Sequence, residues 1–539
     1  MRLNFVFLAP CLGIPIIHGK PIEQGQKEPA CRKTKVAILY VSLTIFVILF
    51  AGILTEYRGA GVAGITTAQT LANRSMTDFI IVEYQDRIGG RLHNVKFGKK
   101  RDGSPYTVEA GANWVEGLGG GNRPENPIFT LAEKYKLQAL ATDYDNKTTY
   151  DRTGKNDFSK IIANAASAME KVVTHAGSML KNNIQDKTVR AALRFMGWNP
   201  AANNAHAQFA DWFSSDFESS FTPEENSAVF SSVADNATFK HFSDDNLFVY
   251  DQRGYSTFIR GEAATFLQPN DPRLLLNTVV QVVNYTDNGV TVVTNDGGCI
   301  QADYAVATFS LGVLQRDVVQ FYPPFPSWKK SAISSFEIGT YTKIFLQFDK
   351  AFWPNSQYLM YADPRERGYY PLFQPLDLPG ALRGSGILVG TVVGKQARRV
   401  EAQTNQETQD EIMKVLRMMF GENIPDPTAI WYPRWNQEPW AYGSYSNWPP
   451  STSLQAHQNL RANVGRLFFA GEATSQEFYG YLHGALFEGR AVGQMLATCI
   501  NDPVRCTDKY GQPRYPILTG VTPYDLYNEK NGWFVSTIA

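Results

Sequence analysis

Two groups of residues in this chain have the types and spacing that chemistry needs. The first is Gly59-Ala60-Gly61-Val62-Ala63-Gly64, with Glu83 following 19 residues after Gly64. Gly59 allows a tight turn, Gly61 lets the backbone approach a pyrophosphate, and Gly64 lets a helix pack closely on a strand. The positive end of that helix stabilises phosphate charge, and Glu83 is placed to accept from ribose hydroxyls. The pattern predicts dinucleotide binding. The second group sits in "TYTKIFLQF", where strand alternation puts Tyr341, Lys343 and Phe345 on one face and Thr342, Ile344 and Leu346 on the other. A lysine between aromatics on its own strand face is poorly explained as a solvated charge. It is either a functional cation or an edge-strand gatekeeper.

The glycine loop needs a strand before it and a helix after it. Residues 65–72 have helical character, and Phe79–Val82 is a short apolar strand ending at Glu83. From about 126 to 194 the pattern turns helical and polar. "LLLNTVVQVVNYT" and "GVTVVTND" read as strands joined through Asp287-Asn288-Gly289, a hairpin signal. Residues 323–427 alternate strands with a helix near 407–420, and 466–499 read as strand, loop and helix.

The residues before the loop raise a conflict. Residues 36–54 are 19 uncharged, mostly apolar residues, the length of a membrane-spanning helix. Yet joining Leu39 directly to Gly59 yields "KVAILGAGVAGITTAQTL", a strand running straight into the loop. Residues 40–58 therefore read as an insertion. A Leu codon ending in G, followed by Tyr40 and Val41, can spell GTATGT, an intron start. Tyr57-Arg58 can spell TAYAG, an intron end, with Leu54-Thr55 offering a branch-point-like CTNAC. Removing the span restores a Leu codon before Gly59. The alternatives are a retained intron and a true membrane anchor.

The 539 residues allow two domains or more, and the 44% apolar content is that of a globular protein. Lys+Arg and Asp+Glu balance at 51 each, so no net field favours nucleic acid. Residues 1–19 have the pattern of a secretory signal, and Asn73, Asn146, Asn236 and Asn284 open N-x-Ser/Thr sequons. Both point to a secreted protein, with membrane anchoring as the alternative if 36–54 is an anchor. Loss of the leader removes Cys11 and leaves Cys31, Cys299, Cys499 and Cys506, with three possible pairings. No CxxC or Cys/His cluster occurs, and no metal site is expected.

Beyond Glu83 lies "RIGGR", then "GANWVEG", "DQRGY", "SLGVLQ", "YTKIFLQF", "PRW", "GSYSNWP" and "FAGEATS". These motifs, long and in order over about residues 33–500, resemble the flavin-containing amine oxidases. "GANWVEG" and "YTKIFLQF" look most like secreted polyamine oxidases of plant and fungal type. The resemblance implies an α/β fold: an FAD-binding Rossmann-like domain (33–125, 240–318, 430–500) interleaved with an α+β substrate-binding domain (126–239, 319–429). The tail, 501–539, is unassigned.

Residue by residue, the resemblance implies that Arg91 approaches the cofactor phosphates and Glu472 bonds the flavin's sugar chain. It implies that the backbone of Val280 meets the adenine and that Lys343 stands beside the reactive flavin nitrogen. Trp435, Tyr445 and Tyr481 would wall the reacting amine, with Glu116 and Glu218 as carboxylates for substrate ammonium groups. The plant pattern has aromatics on both sides of that second acid, whereas here Phe217 precedes it and Ser219 follows. Related monoamine oxidases carry a flavin-bonding cysteine near "AYGSYSNWPP"; none occurs here, which implies noncovalent FAD. The expected reaction is oxidation of spermidine or spermine to an aminoaldehyde and an amine, with oxygen reduced to hydrogen peroxide. Other FAD amine oxidases and a membrane-tethered, flavin-less pseudoenzyme are the alternatives.

Overall fold

The computed structural model describes residues 31–39, 60–181, 184–502 and 506. The expected leader at 1–19, the segment 40–58 with Gly59, and most of the tail 501–539 lie outside them. Strand β1 (Arg32–Leu39), helix α1 (Val62–Ala72) and strand β2 (Phe79–Val82) form the parallel strand–helix–strand unit that the glycine spacing predicts. Val36 and Ile38 enter one hydrophobic core while Ala37 and Leu39 enter another on the opposite face. A strand covered on both faces is apolar throughout, which is why this stretch also resembles the start of a membrane helix.

β1 lies between β2 and the parallel strand Cys299–Ala307, inside an eight-stranded sheet. The Val280–Tyr285 and Val290–Thr294 strands form the expected hairpin, with Tyr285 opposite Val290. The strand Gln320–Tyr322 extends this sheet at one edge. Cys31 is bonded to Cys299 and Cys499 to Cys506, which selects one of the three pairings. The first bond ties the start of β1 to the start of its neighbour.

Because residues 36–39 belong to β1, they are not part of a single helix over 36–54. The first strand of the unit is therefore present, paired with β2 up to Leu39. Among the described residues, no helix is long and apolar enough to cross a membrane.

A second, seven-stranded sheet is built around the antiparallel strands Tyr341–Gln347 and Ile387–Val393. Its parallel strand Lys147–Asp151 and the short Gly154–Lys155 fall where the pattern read as helical and polar. "KTTYD" alternates too weakly to announce a strand; its neighbour Tyr358–Tyr361 supplies the apolar surface. The helix near 407–420 spans Asn405–Phe420 and opens with a capping box between Thr404 and Glu407. A third, three-stranded sheet pairs Trp114–Glu116 with Asn246–Val249, and this presents Glu116 to the interior.

Candidate active site

One cavity of about 260 Å³ is lined by Gly61, Gly64, Gly90 and Arg91 together with Lys343, Glu116 and Glu218. Gly61 caps α1, so the unpaired N–H groups of the first helical turn face this space. A Cβ on Gly64 would lie 3.3 Å from Ile38 Cγ2, the close helix–strand contact expected of that position. On its other side α1 meets the helix Leu482–Asn501, where a Cβ on Gly493 would lie 2.6 Å from Thr70 Cβ. Gly489 and Gly493 were not singled out in the sequence; their four-residue spacing within a helix is the signal that identifies them.

Glu83 is fully buried, and its carboxylate accepts from the N–H groups of Ala60 and Gln85, each at 2.8 Å. Burial raises its pKa to about 7, against the two backbone hydrogen bonds. Glu83 thus organises the glycine loop. Neither it nor Val280 lines the cavity. Val280 is completely buried and opens a strand opposite Thr294. Gly59 lies outside the described residues.

Arg91 and Glu472 meet on the cavity wall: Arg91 Nη1 donates to Glu472 Oε1 at 2.9 Å and to the Ser444 carbonyl at 2.9 Å. The other carboxylate oxygen of Glu472 accepts from Ser446 Oγ at 2.6 Å and Gly480 N at 2.8 Å. Arg87, in the same "RIGGR" motif, instead shapes the loop by donating to the carbonyls of Gly90 and Leu92. A Cβ on Gly111 would collide with the Arg91 carbonyl, so "GANWVEG" also begins at a close backbone approach.

Lys343 lies in an interior strand, is 4% exposed, and donates to the carbonyls of Glu109 (2.9 Å) and Gly111 (2.7 Å) and to Asn113 Oδ1 (2.8 Å). An edge gatekeeper must be solvated to work, so that alternative falls. Burial pulls the lysine pKa down to about 7, while Glu109 and Glu116 oppose this. Three acceptors match the three N–H groups of the ammonium form. Asn113, the residue that aims this amine, was missed in the sequence although it stands inside a quoted motif. Trp114 lies beneath the amine, 5.6 Å from ring centroid to Nζ. Trp435 also lines the cavity, buried edge-on to Trp440, and its backbone N–H donates to Glu401 Oε1 at 3.0 Å.

The remaining wall is acidic. Glu116 forms no ion pair among the described residues, and burial followed by the charge of Glu218 raises its pKa well above the carboxylate range. Glu218 is solvent-exposed where it opens onto the cavity, and partial desolvation there raises its pKa against the hydrogen bond from Tyr481. Tyr481 donates to Glu218 Oε1 at 2.7 Å, and Tyr445 donates to the Glu218 backbone carbonyl at 2.7 Å. The two tyrosines are therefore more than apolar walls: both fix the carboxylate-bearing turn. Asp235 lines the same cavity and was not anticipated; its pKa is pushed up to about 7 by burial and then by Glu218.

The residues present fit a dinucleotide-linked cofactor. A glycine-lined helix start and Arg91 suit its phosphates, and Trp114 Nε1 and the Tyr341 hydroxyl are buried, unpartnered polar atoms on residues of the wall. All the described cysteines are in disulfides, so none of them is available for a covalent flavin bond.

The model of the family described as flavin containing amine oxidoreductase matches residues 62–495. Polyamine oxidase 1 of Zea mays is 37% identical over 462 residues, covering 82% of this chain and 89% of its own. Polyamine oxidase 7 of Oryza sativa subsp. japonica is 37% identical over 450 residues, 80% of this chain and 92% of its own. Among solved structures, putrescine oxidase bound to putrescine superposes with a TM-score of 0.65 at 17% identity, covering 86% of this chain and 99% of that one.

Proposed function

The chain belongs to the flavin-containing amine oxidoreductases, and we propose that within that family it oxidises polyamines to an aminoaldehyde and an amine. The observation that carries this reading is the pairing of Glu116 and Glu218 in one cavity, without an ion pair to either among the described residues. Two confined carboxylates repel each other, and a chain of methylenes bearing separated ammonium groups relieves that repulsion. The polyamine oxidases of Zea mays and Oryza sativa named above support the same substrate class. An amino-acid substrate would instead bring its carboxylate against Glu116, Glu218 and Asp235.

Held noncovalently, FAD would supply the redox chemistry, a two-electron oxidation of the carbon beside the amine with oxygen as final acceptor and hydrogen peroxide as its product. Water then hydrolyses the imine. Arg91, Glu472 and the start of α1 would hold the cofactor. Glu116 and Glu218 hold the flanking ammonium groups and so fix which carbon is presented. Tyr341, Trp435 and Tyr445 surround the reacting nitrogen with apolar surface, which favours its neutral, oxidisable form. Lys343, aimed by Asn113 and two carbonyls, would hold a positive charge on the cavity wall, where it would favour negative charge developing on a bound cofactor.

Incubation with spermidine, spermine and their acetylated forms, with product identification, tests the reading. Diaminopropane or putrescine from spermidine identifies the side of cleavage. Turnover of benzylamine or leucine with all polyamines inert contradicts it.

Segment 40–58 reads best as a retained intron. Its flanks stand side by side: Leu39 pairs with Val82, and Ala60 bonds the adjoining Glu83. cDNA from the mature transcript should join Leu39 to Gly59; cDNA keeping all 57 nucleotides contradicts this. A secreted, glycosylated protein fits the leader-like start, the two disulfides and the exposed Asn73, Asn146 and Asn284. Glycosidase-sensitive protein in the culture medium is the expected result.

A further inference from the structure

Glu401 ends the helix Gly394–Glu401 and is 1% exposed. Its carboxylate forms no ion pair among the described residues, and the negative end of its own helix opposes its charge. A carboxylate kept in such a place is costly unless hydrogen bonds offset its burial. Burial raises its pKa, against the bonds it accepts from Asn436, Thr342 and Trp435.

Those bonds join one strand to one loop. Glu401 Oε1 accepts from Thr342 Oγ1 at 2.7 Å and from the Trp435 backbone N–H at 3.0 Å, and Oε2 accepts from the Asn436 N–H at 2.9 Å. The Glu401 carbonyl accepts from Arg434 Nε at 3.1 Å and from Gln437 Nε2 at 2.7 Å. Four consecutive loop residues, Arg434, Trp435, Asn436 and Gln437, thus converge on one residue. Thr342 is completely buried, while its strand neighbours Tyr341 and Lys343 line the cavity, as Trp435 does. Neither Thr342 nor Glu401 lines it.

We infer that Glu401 is a positioning residue: it sets Trp435 against the strand carrying Tyr341 and Lys343, and so fixes the shape of the cavity where the amine reacts. This rests on the polyamine reading, which places the reacting nitrogen among Tyr341, Trp435 and Tyr445. A carboxylate suits the task because both its oxygens accept and neither donates. Three donors meet it, one strand hydroxyl and two successive backbone N–H groups. Glutamine keeps the shape, yet whichever way its amide turns, an N–H faces a donor.

Comparison of Glu401→Gln with Glu411→Gln tests this, since Glu411 is bonded to Arg399 and Tyr370 and lies outside the cavity wall. In the resting FAD-loaded protein, hydrogen exchange at the Trp435 and Asn436 amides should quicken roughly tenfold in Glu401→Gln. Its kcat for spermidine should fall roughly tenfold with KM within about twofold of the parent's, because the reacting centre is reshaped while the ammonium contacts remain. The visible absorbance bands of its flavin should shift as well. Glu411→Gln should lower the melting temperature and leave exchange at those amides, kcat and the flavin bands near the parent's. If Glu401→Gln does not load FAD, Thr342→Val, which lacks one of the three donors, carries the same comparison. Unchanged exchange, a parent kcat and flavin spectrum despite faster exchange, or an equal loss of kcat in Glu411→Gln overturns the role of Glu401 and leaves polyamine oxidation standing. A parent enzyme that oxidises no polyamine brings down the polyamine reading itself.

Discussion

Arg91 and Glu472 stand 381 residues apart in the chain and 2.9 Å apart in the fold. One closes the loop after β2, and the other opens the 3₁₀ turn Glu472–Thr474. Each was nominated for the cofactor from its own motif, and their contact places the two motifs on one wall. Removing either leaves the other's charge partly buried. Arg91→Ala or Glu472→Gln should weaken FAD binding by about 1.5–3 kcal/mol, roughly ten- to a hundredfold. Flavin-to-protein absorbance ratios after dialysis measure this, and ratios equal to the parent's would remove both residues from the cofactor site.

Glu116→Gln should raise the KM for polyamines by a similar factor with little change in kcat, because the lost interaction holds the substrate in ground and transition states alike. Tyr481→Phe keeps the ring and removes only the hydroxyl that positions Glu218. A smaller KM increase is expected, by about 0.5–1.5 kcal/mol. An effect of Tyr481→Phe larger than that of Glu218→Gln would show that the tyrosine acts on its own account.

Lys343→Met retains most of the stem and deletes the charge and its three donors. FAD should stay bound, while flavin reduction by polyamine slows and reoxidation slows markedly, by roughly tenfold or more. Rapid mixing separates the half-reactions. Parent rates in both would leave Lys343 with a structural role only.

Buried carboxyls set a pH dependence of stability. Glu83, Glu109, Asp216 and Asp235 are raised to about 7 and Glu116 is raised well above the ordinary carboxyl value, in each case chiefly by burial. Between their ordinary values and about pH 7 the folded state keeps protons that the unfolded chain releases, so stability falls as pH rises through this window. Asp271, held down to about 2 by Arg273, acts oppositely and protects only above its own range. His93 and His483, held down to about 3 by burial, act oppositely up to about pH 6.5, so the melting temperature should fall by a few degrees between about pH 6 and pH 8. Glu116→Gln should flatten that fall. A melting temperature that rises across that interval contradicts the assignment.

Much of this site could be read from the sequence because its motifs are local. Gly61, Gly64 and Glu83 lie in one strand–helix–strand unit, and strand alternation alone set Lys343 beside Tyr341. What escaped was nonlocal. The wall contact of Asp235 depends on how its helix is moored to Tyr479, and the tethering roles of Tyr445 and Tyr481 depend on meeting a turn more than 200 residues away. The strand Lys147–Asp151 was hidden for the same reason. Its partners, not its own composition, make it a strand. The apolar run at 36–54 misled in the opposite sense, since a strand buried on both faces and the start of a membrane helix share a composition.

The central claim, that this chain carries a flavin which polyamines reduce, is tested most directly by anaerobic mixing of the yellow protein with one equivalent of spermine or spermidine. The account predicts that the flavin absorbance bleaches, and that admitting oxygen restores it with about one hydrogen peroxide formed per flavin. A flavin that stays oxidised with every polyamine, or a folded protein that holds no flavin, would contradict it.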